Sequence, residues 1–399
     1  MEMSELRALL TPEGLDLLDA VGPIDSTAEV AAAVSRLRAA GYSPDLVSAV
    51  VGQARLRVRA TAKFGDFAGR MLFTRAGLEQ ATRLGVAARH AQRIRSAGFA
   101  RVADLGSGIG GDALAFAGAG LDVLAVDADE VTAAIAGFNL APFGAEVRHA
   151  TAEAAFGGLE PGGAVWMDPA RRTSGHSETR RVSADDYSPS LDWAFDVAAR
   201  TPTGIKLGPA HDRDALPDDV EAQWVSADGS VVELVVWSRA LAREGVRRAA
   251  LVIRGERSWE LTAAADAEDA PVRELGAFLH EPDGAVIRAR LIGDVARSLE
   301  AGMLDERIAY LTSDAALTSP FVQSFRVRET MAANPKAIRA VLVREGIGTV
   351  EIKKRGVDID PAAFRKKLKL KGDAAATLIL ARIGNDRLAI LADRVSAAA

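Results

Sequence analysis

From residue 1 to about 98 the apolar positions fall at helical spacing. Leu6, Leu9 and Leu10, then Leu15, Leu17 and Leu18, mark the repeat, and Gly14, Gly22, Pro23 and Gly41 punctuate it. Ser26 or Thr27 with Glu29 behind it predicts a helix start. The spacing over 77–98 predicts one helix ended by Gly98. The period then changes. Short apolar runs at 101–105, 122–127, 146–149, 164–168 and 203–207 mostly alternate with helix-length segments, which predicts a parallel sheet with crossover helices. The runs 222–227 and 230–237 flank Asp228–Gly229, a hairpin dipeptide, so the sheet is expected to finish with an antiparallel pair. Residues 249–262 are expected to add two strands. The acidic, Ala-rich stretch 264–275, with Pro271, reads as a linker. Beyond it a second α/β region is expected, with strands IAYLTS, FRVRET and TVEIKKR, a helix near 335–345, and a closing pair about Gly384–Asn385. The expected organisation is a helical region over 1–98, an α/β domain over 99–265 and a second over 273–399.

At 399 residues the chain exceeds one compact domain, and 49% hydrophobic with 26% charged residues describes a globular protein. It has no cysteine, which excludes disulfides, thiolate metal sites, iron–sulfur clusters and a cysteine nucleophile. Five widely spaced histidines (90, 149, 176, 211 and 280) do not suggest a metal site. No 18-residue apolar run occurs, and MEMSELRALL lacks a basic segment leading into an apolar core, so a cytoplasmic protein without a membrane span is expected. The net charge of −5 is unevenly spread. Gln323–Ala399 holds 16 Lys/Arg against 8 Asp/Glu, a net +8 that leaves −13 on the rest. Eight of those cations (Lys353, Lys354, Arg355, Arg365, Lys366, Lys367, Lys369 and Lys371) lie within 353–371, which suits a polyanionic partner.

The sharpest local signal is VADLGSGIGGD (102–112), an apolar strand running into glycines and then a helix. Glycines let backbone approach a ligand closely, and a helix N-terminus offers unpaired N–H groups. The spacing fits both G-x-G-x-G and, through Gly111, G-x-G-x-x-G. Three features favour S-adenosylmethionine over a nicotinamide dinucleotide. Asp104, two residues before the first glycine, suits a ligand ammonium and would repel a pyrophosphate. Asp127, at the next strand's tip, suits ribose hydroxyls, a role that serves either ligand. The hairpin at Asp228–Gly229 departs from a dinucleotide fold. Asp112 reads equally as a first-turn acid on the helix dipole or as a ligand contact.

AVWMDPARRTSGH (164–176) puts Asp168 and Pro169 at the fourth strand's tip, the edge that faces the ligand crevice of an open α/β sheet. Asp168 would hydrogen-bond an acceptor N–H, while Arg171 and Arg172 would bind phosphate or stack on a base. GIKLGPAHD (204–212) brings Lys206 and His211 to the same edge, as site residues or as ordinary strand and loop positions. DDYSPSLDW (185–193), with Tyr187 and Trp193, reads as a lid or as packing.

Together, DLGSGIGGDALAFA, VDAD, MDPARR, DYSPSL and GIKLGP resemble a bacterial class I S-adenosylmethionine-dependent methyltransferase family that carries a C-terminal THUMP-like domain. KKRGVDIDPAAFRKKLKLKGDAAATLIL (353–380) is similar to that family's closing segment, and the resemblance spans residue 50 or so to the end. The glycine-loop region is also similar to trimethylguanosine synthase, which methylates a guanine exocyclic amine. The resemblance implies an α/β fold. Its centre is a Rossmann-like class I methyltransferase sheet of seven strands, the last antiparallel, between the N-terminal helices and a THUMP-like α/β domain. It implies S-adenosyl-L-methionine at Asp104, Gly106, Ser107, Gly108, Gly110, Asp127 and Ala128, catalytic Asp168 and Pro169, and Arg171, Arg172 and Lys206 toward the substrate. Relative to the Asp/Asn-Pro-Pro-aromatic motif of amino-methyltransferases, Ala170 replaces the second proline and Arg171 the aromatic; a guanidinium plane can also stack on a base.

The function expected is methylation of a base nitrogen of structured RNA, tRNA or rRNA, with RNA captured through the basic 353–371 stretch and no metal required. Two alternatives stay open: a methyltransferase acting on a small molecule or protein, and a catalytically silent RNA-binding protein.

Overall fold

The structure, a computed structural model, describes residues 1–159, 161–171 and 187–395. Chain contacts separate two compact units, Met1–Val220 with Val235–Arg243, and Glu221–Leu234 with Glu244–Ala399.

The first unit opens with six helices: α1 (Met3–Leu9), α2 (Pro12–Val21), α3 (Thr27–Ala39), α4 (Pro44–Phe64), α5 (Arg75–Gln80) and α6 (Leu84–Ser96). Their starts follow from the sequence. Thr11 before Pro12 and Ser43 before Pro44 accept the N–H of Gly14 and Leu46, with proline at the first helical position where no donor is needed. Ser26 and Glu29 form a reciprocal capping box on α3. The single helix expected over 77–98 is instead two. Lys63 Nζ donates to the carbonyls of Leu78, Glu79 and Ala81 at 2.7–2.8 Å, satisfying the open end of α5 and leaving residues 81–83 outside either helix. Gly98, with φ +86°, ends α6 as expected.

Strands and helices then alternate: β1 (Arg101–Leu105), α7 (Gly111–Gly118), β2 (Asp122–Asp127), α8 (Glu130–Leu140), β3 (Glu146–His149), α9 (Ala152–Phe156) and β4 (Ala164–Met167). A short ladder follows, β5 (Ala170–Arg171) with β6 (Tyr187–Ser188), then α10 (Leu191–Arg200), β7 (Thr203–Leu207), β8 (Glu221–Ala227), β9 (Ser230–Trp237), β10 (Arg248–Arg254) and β11 (Arg257–Ala263). The main sheet has nine strands in the order β11-β10-β8-β9-β7-β4-β1-β2-β3. Seven of them, in the run β3-β2-β1-β4-β7-β9-β8, give the expected sheet. β9 is its reversed strand, turned back from β8 at Asp228 (φ 51°) and Gly229 (φ 83°), both left-handed as a two-residue hairpin requires. The expected pair over 249–262 is β10 and β11; β10 pairs parallel to β8, and β11 antiparallel to β10. β4 is buried on both faces, as a central parallel strand should be. Trp166 of β4 and Trp237 of β9 pack across Gly204 of β7, where a Cβ would stand 2.6 and 2.7 Å from the two indoles.

The second unit adds β12 (Phe278–Pro282), α11 (Gly284–Arg288), α12 (Ile292–Ser298), β13 (Gly302–Asp305), β14 (Ile308–Ser313), β15 (Val322–Ala332), α13 (Pro335–Arg344), β16 (Ile347–Arg355), α14 (Pro361–Leu368), β17 (Ala374–Ile383) and β18 (Asp386–Arg394). Its seven-stranded sheet runs β13-β14-β12-β15-β18-β17-β16. Ile338, Leu342, Phe364 and Leu368 of α13 and α14 pack on Val350, Ile352, Leu378 and Leu380, and a second cluster holds Leu279, Tyr310, Phe325 and Ile379. Among the described residues, no helix is long and apolar enough to cross a membrane, and no group of three or more His, Asp or Glu could hold a metal.

Candidate active site

The glycine loop leaves β1 at Leu105. Gly106, Gly108 and Gly110 have φ of +99°, +57° and +87°, a region that disfavours any Cβ. The N–H groups of Gly106 and Ser107 donate to the Val126 carbonyl at 2.9 Å. The Gly108 N–H donates to Asp127 Oδ2 and the Asp129 N–H to Asp127 Oδ1, each at 2.9 Å, so Asp127 clips the loop to the tip of β2. Burial pushes the Asp127 carboxyl up, against those two bonds. Beside it, the Ala128 carbonyl faces His149 Nε2 at 3.1 Å. A Cβ on Gly106 would come within 3.3 Å of the Asp168 carbonyl oxygen, so the loop after β1 lies directly against the tip of β4.

Two polar side chains at the end of β1 and in this loop are buried without a hydrogen-bond partner among the described residues: both carboxylate oxygens of Asp104 and the hydroxyl of Ser107. Burial, then the charges of Asp112 and Asp168, push the Asp104 carboxyl well above the usual carboxylate range. Such a group is costly unless something absent from the bare chain satisfies it.

Asp112 is buried at the start of α7. His90 Nδ1 lies 2.8 Å from Oδ1, and Thr82 Oγ1 donates to Oδ2 at 2.7 Å. Despite burial, the Lys206 charge and the bonds from His90 and Thr82 bring the Asp112 carboxyl down to about 2. Lys206 Nζ lies 2.5 Å from Asp168 Oδ2. The Asp168 side chain is 35% exposed and Lys206 only 12%. Pro169 is buried behind Asp168. Arg172, and the side chain of Arg171, lie outside the described residues, as does His176. Tyr187 is buried and pairs with Arg171 across the β5–β6 ladder, and Trp193 packs edge-on against Phe156 at 5.7 Å.

Five residues not singled out from sequence shape this site. His90 stacks on Trp166 at 4.4 Å, Thr82 bridges Lys206 to Asp112, and Lys63 shapes the turn that carries Thr82. Asn139 donates to the carbonyls of Leu72 and Ile109, and Gln53 bonds both backbone groups of Phe73. These two amides fasten the segment before α5 and the glycine loop. The available signal is position alone: isolated polar residues, all but Thr82 on helices and all but Lys63 buried.

Residues 322–394 match the family described as THUMP domain-like, and residues 2–60 match a domain of unknown function. An uncharacterised S-adenosylmethionine-dependent methyltransferase of Mycobacterium tuberculosis, in strains CDC 1551 and H37Rv alike, is 34% identical over 340 residues, 82% of this chain and 91% of that one. Among solved structures, a proposed methyltransferase from Porphyromonas gingivalis W83 shares the fold at a TM-score of 0.73 and 19% identity, over 94% of this chain and 100% of its own.

Proposed function

The chain belongs to the S-adenosylmethionine-dependent methyltransferases, and from that premise we propose that it methylates a base nitrogen of structured RNA, tRNA or rRNA. S-adenosyl-L-methionine is its cofactor. The residues present fit that group. Asp104 is a buried carboxylate waiting for a cation such as the ligand's ammonium, and Gly106, Ser107, Gly108 and Gly110 leave the backbone bare for close approach. Asp127 and Ala128 sit at the tip of β2, where ribose hydroxyls would be met. The cofactor supplies an electrophilic methyl group.

The chain's own residues govern the acceptor. Asp168, half-exposed against the glycine loop, accepts a hydrogen bond from the acceptor N–H and turns the nitrogen lone pair into line. The nitrogen gains the methyl and gives up a proton to Asp168 or to solvent. Pro169 fixes the turn that aims the carboxylate.

The observation that supports RNA is the exposed cationic surface inside the THUMP domain-like match. Lys353 and Arg355 approach Glu281, but Lys354, Arg365, Lys366, Lys367, Lys369 and Lys371 are exposed, with no ion pair among the described residues. The test is incubation with methyl-labelled S-adenosylmethionine and total bacterial RNA, beside an Asp168→Ala variant and an RNase-treated control. Label is expected in RNA with the wild-type protein alone, and digestion to nucleosides names the nitrogen. Label in protein or small molecules would move the acceptor class; binding of the cofactor without transfer to any fraction would leave an RNA-binding protein.

A further inference from the structure

Lys206 projects from β7, the neighbour of β4, into a cluster of which the transfer step described above uses Asp168 alone. Its ammonium lies 2.5 Å from Asp168 Oδ2, donates to Thr82 Oγ1 at 2.8 Å and stands 3.8 Å from Asp112 Oδ2. An ammonium has three N–H donors, and these oxygens surround it. Thr82 passes its own O–H to Asp112, whose other oxygen meets His90. A continuous run of polar contacts thus links the helices before β1, the first turn of α7 and the acid at the tip of β4. His90 is in turn wedged against Trp166 and Trp237, at 4.4 and 6.2 Å. Burying a carboxylate, an ammonium and an imidazole together is a poor route to stability, because desolvation offsets most of the attraction. Such a cluster fixes orientation instead.

We propose that Lys206 is a positioning residue for methyl transfer: tethered by Thr82 and Asp112, it holds the Asp168 carboxylate in one orientation toward the acceptor and does not itself meet substrate. The low exposure of Lys206 relative to Asp168 fits this division of roles. The inference rests on the reading of Asp168 as the acceptor-side group.

The test measures initial rates of label transfer over a dilution series of cell extract from a strain lacking this gene, so that unmethylated sites of any acceptor class are present. Cofactor affinity is measured by calorimetry and folding by thermal melting. Asp168→Ala and Lys206→Met are each expected to lower kcat about 100-fold, with acceptor KM and cofactor affinity within about threefold of wild type. Because Lys206→Met leaves two acids beside an empty place, Thr82 supplies variants that keep every charge. Thr82→Val is expected to lower kcat about tenfold, and Thr82→Ser, which restores the hydroxyl, to return it to within about twofold. A Thr82→Val protein with wild-type kcat beside an inactive Asp168→Ala would overturn the positioning role alone. So would a Lys206→Met protein that raises KM at unchanged kcat, which would make Lys206 a substrate contact. An active Asp168→Ala would instead remove the acceptor-side reading, and this inference with it.

Discussion

Asp104 is where stability and function pull apart. The unfolded chain ionises this carboxyl in the ordinary range, while the folded protein resists ionisation because burial and the charges of Asp112 and Asp168 push it up. The folded state therefore binds more protons, and the ligand-free protein loses stability as pH rises through and above the ordinary carboxylate range. Asp104→Asn removes that penalty. Its ligand-free melting temperature at pH 7.5 is expected to rise by about 2–4 °C, corresponding to roughly 1 kcal/mol, while cofactor affinity in calorimetry falls about 10- to 100-fold. Asp104, Asp127 and the three left-handed glycines are legible in the sequence because a strand, a turn and a helix start sit side by side along the chain. Asp112 is only half legible. Its place on α7 is plain from spacing, but its partners His90 and Thr82 lie 22 and 30 residues upstream and are chosen by packing.

Elements are most legible where one residue type forces one conformation. The Asp228–Gly229 turn and the Ser26–Glu29 box need no tertiary help, and β1 to β4 announce themselves as short apolar runs. The break between α5 and α6 is not legible, because its cause, Lys63, lies 15 residues or more upstream and is one more basic position on α4. In the second unit β12 carries a buried histidine. His280 contacts Ser324 Oγ at 2.8 Å and Ser313 Oγ at 2.9 Å, and burial brings its pKa down to about 4. Below the ordinary histidine value the unfolded chain takes up a proton that the folded protein refuses. Its contribution is thus fully present above about pH 6.5 and is lost as pH falls toward 4. The urea midpoint is expected to drop between pH 7 and pH 5, and His280→Gln to flatten that drop.

For the molecule as a whole, charge was the legible quantity: a net +8 over Gln323–Ala399 against −13 elsewhere. Which cations are available was not legible, since Lys353 and Arg355 look like their neighbours in sequence yet lie beside Glu281. Reversing Arg365, Lys366 and Lys367 together to glutamate is expected to weaken binding to total RNA. The slope of log affinity against log salt should become shallower by about two to three, the loss of roughly three phosphate contacts, with calorimetric cofactor affinity unchanged. An unaltered slope would remove α14 from the RNA surface. The tryptophans, finally, give the intact protein a spectroscopic voice. Of the five in the chain, Trp166 and Trp237 are buried beside the imidazole of His90, and Trp166 on β4 stands two residues before Asp168, which follows the end of that strand. Their emission should be blue-shifted in the resting protein, and its change on adding cofactor or acceptor would report occupancy of the site in real time, without label and before any turnover.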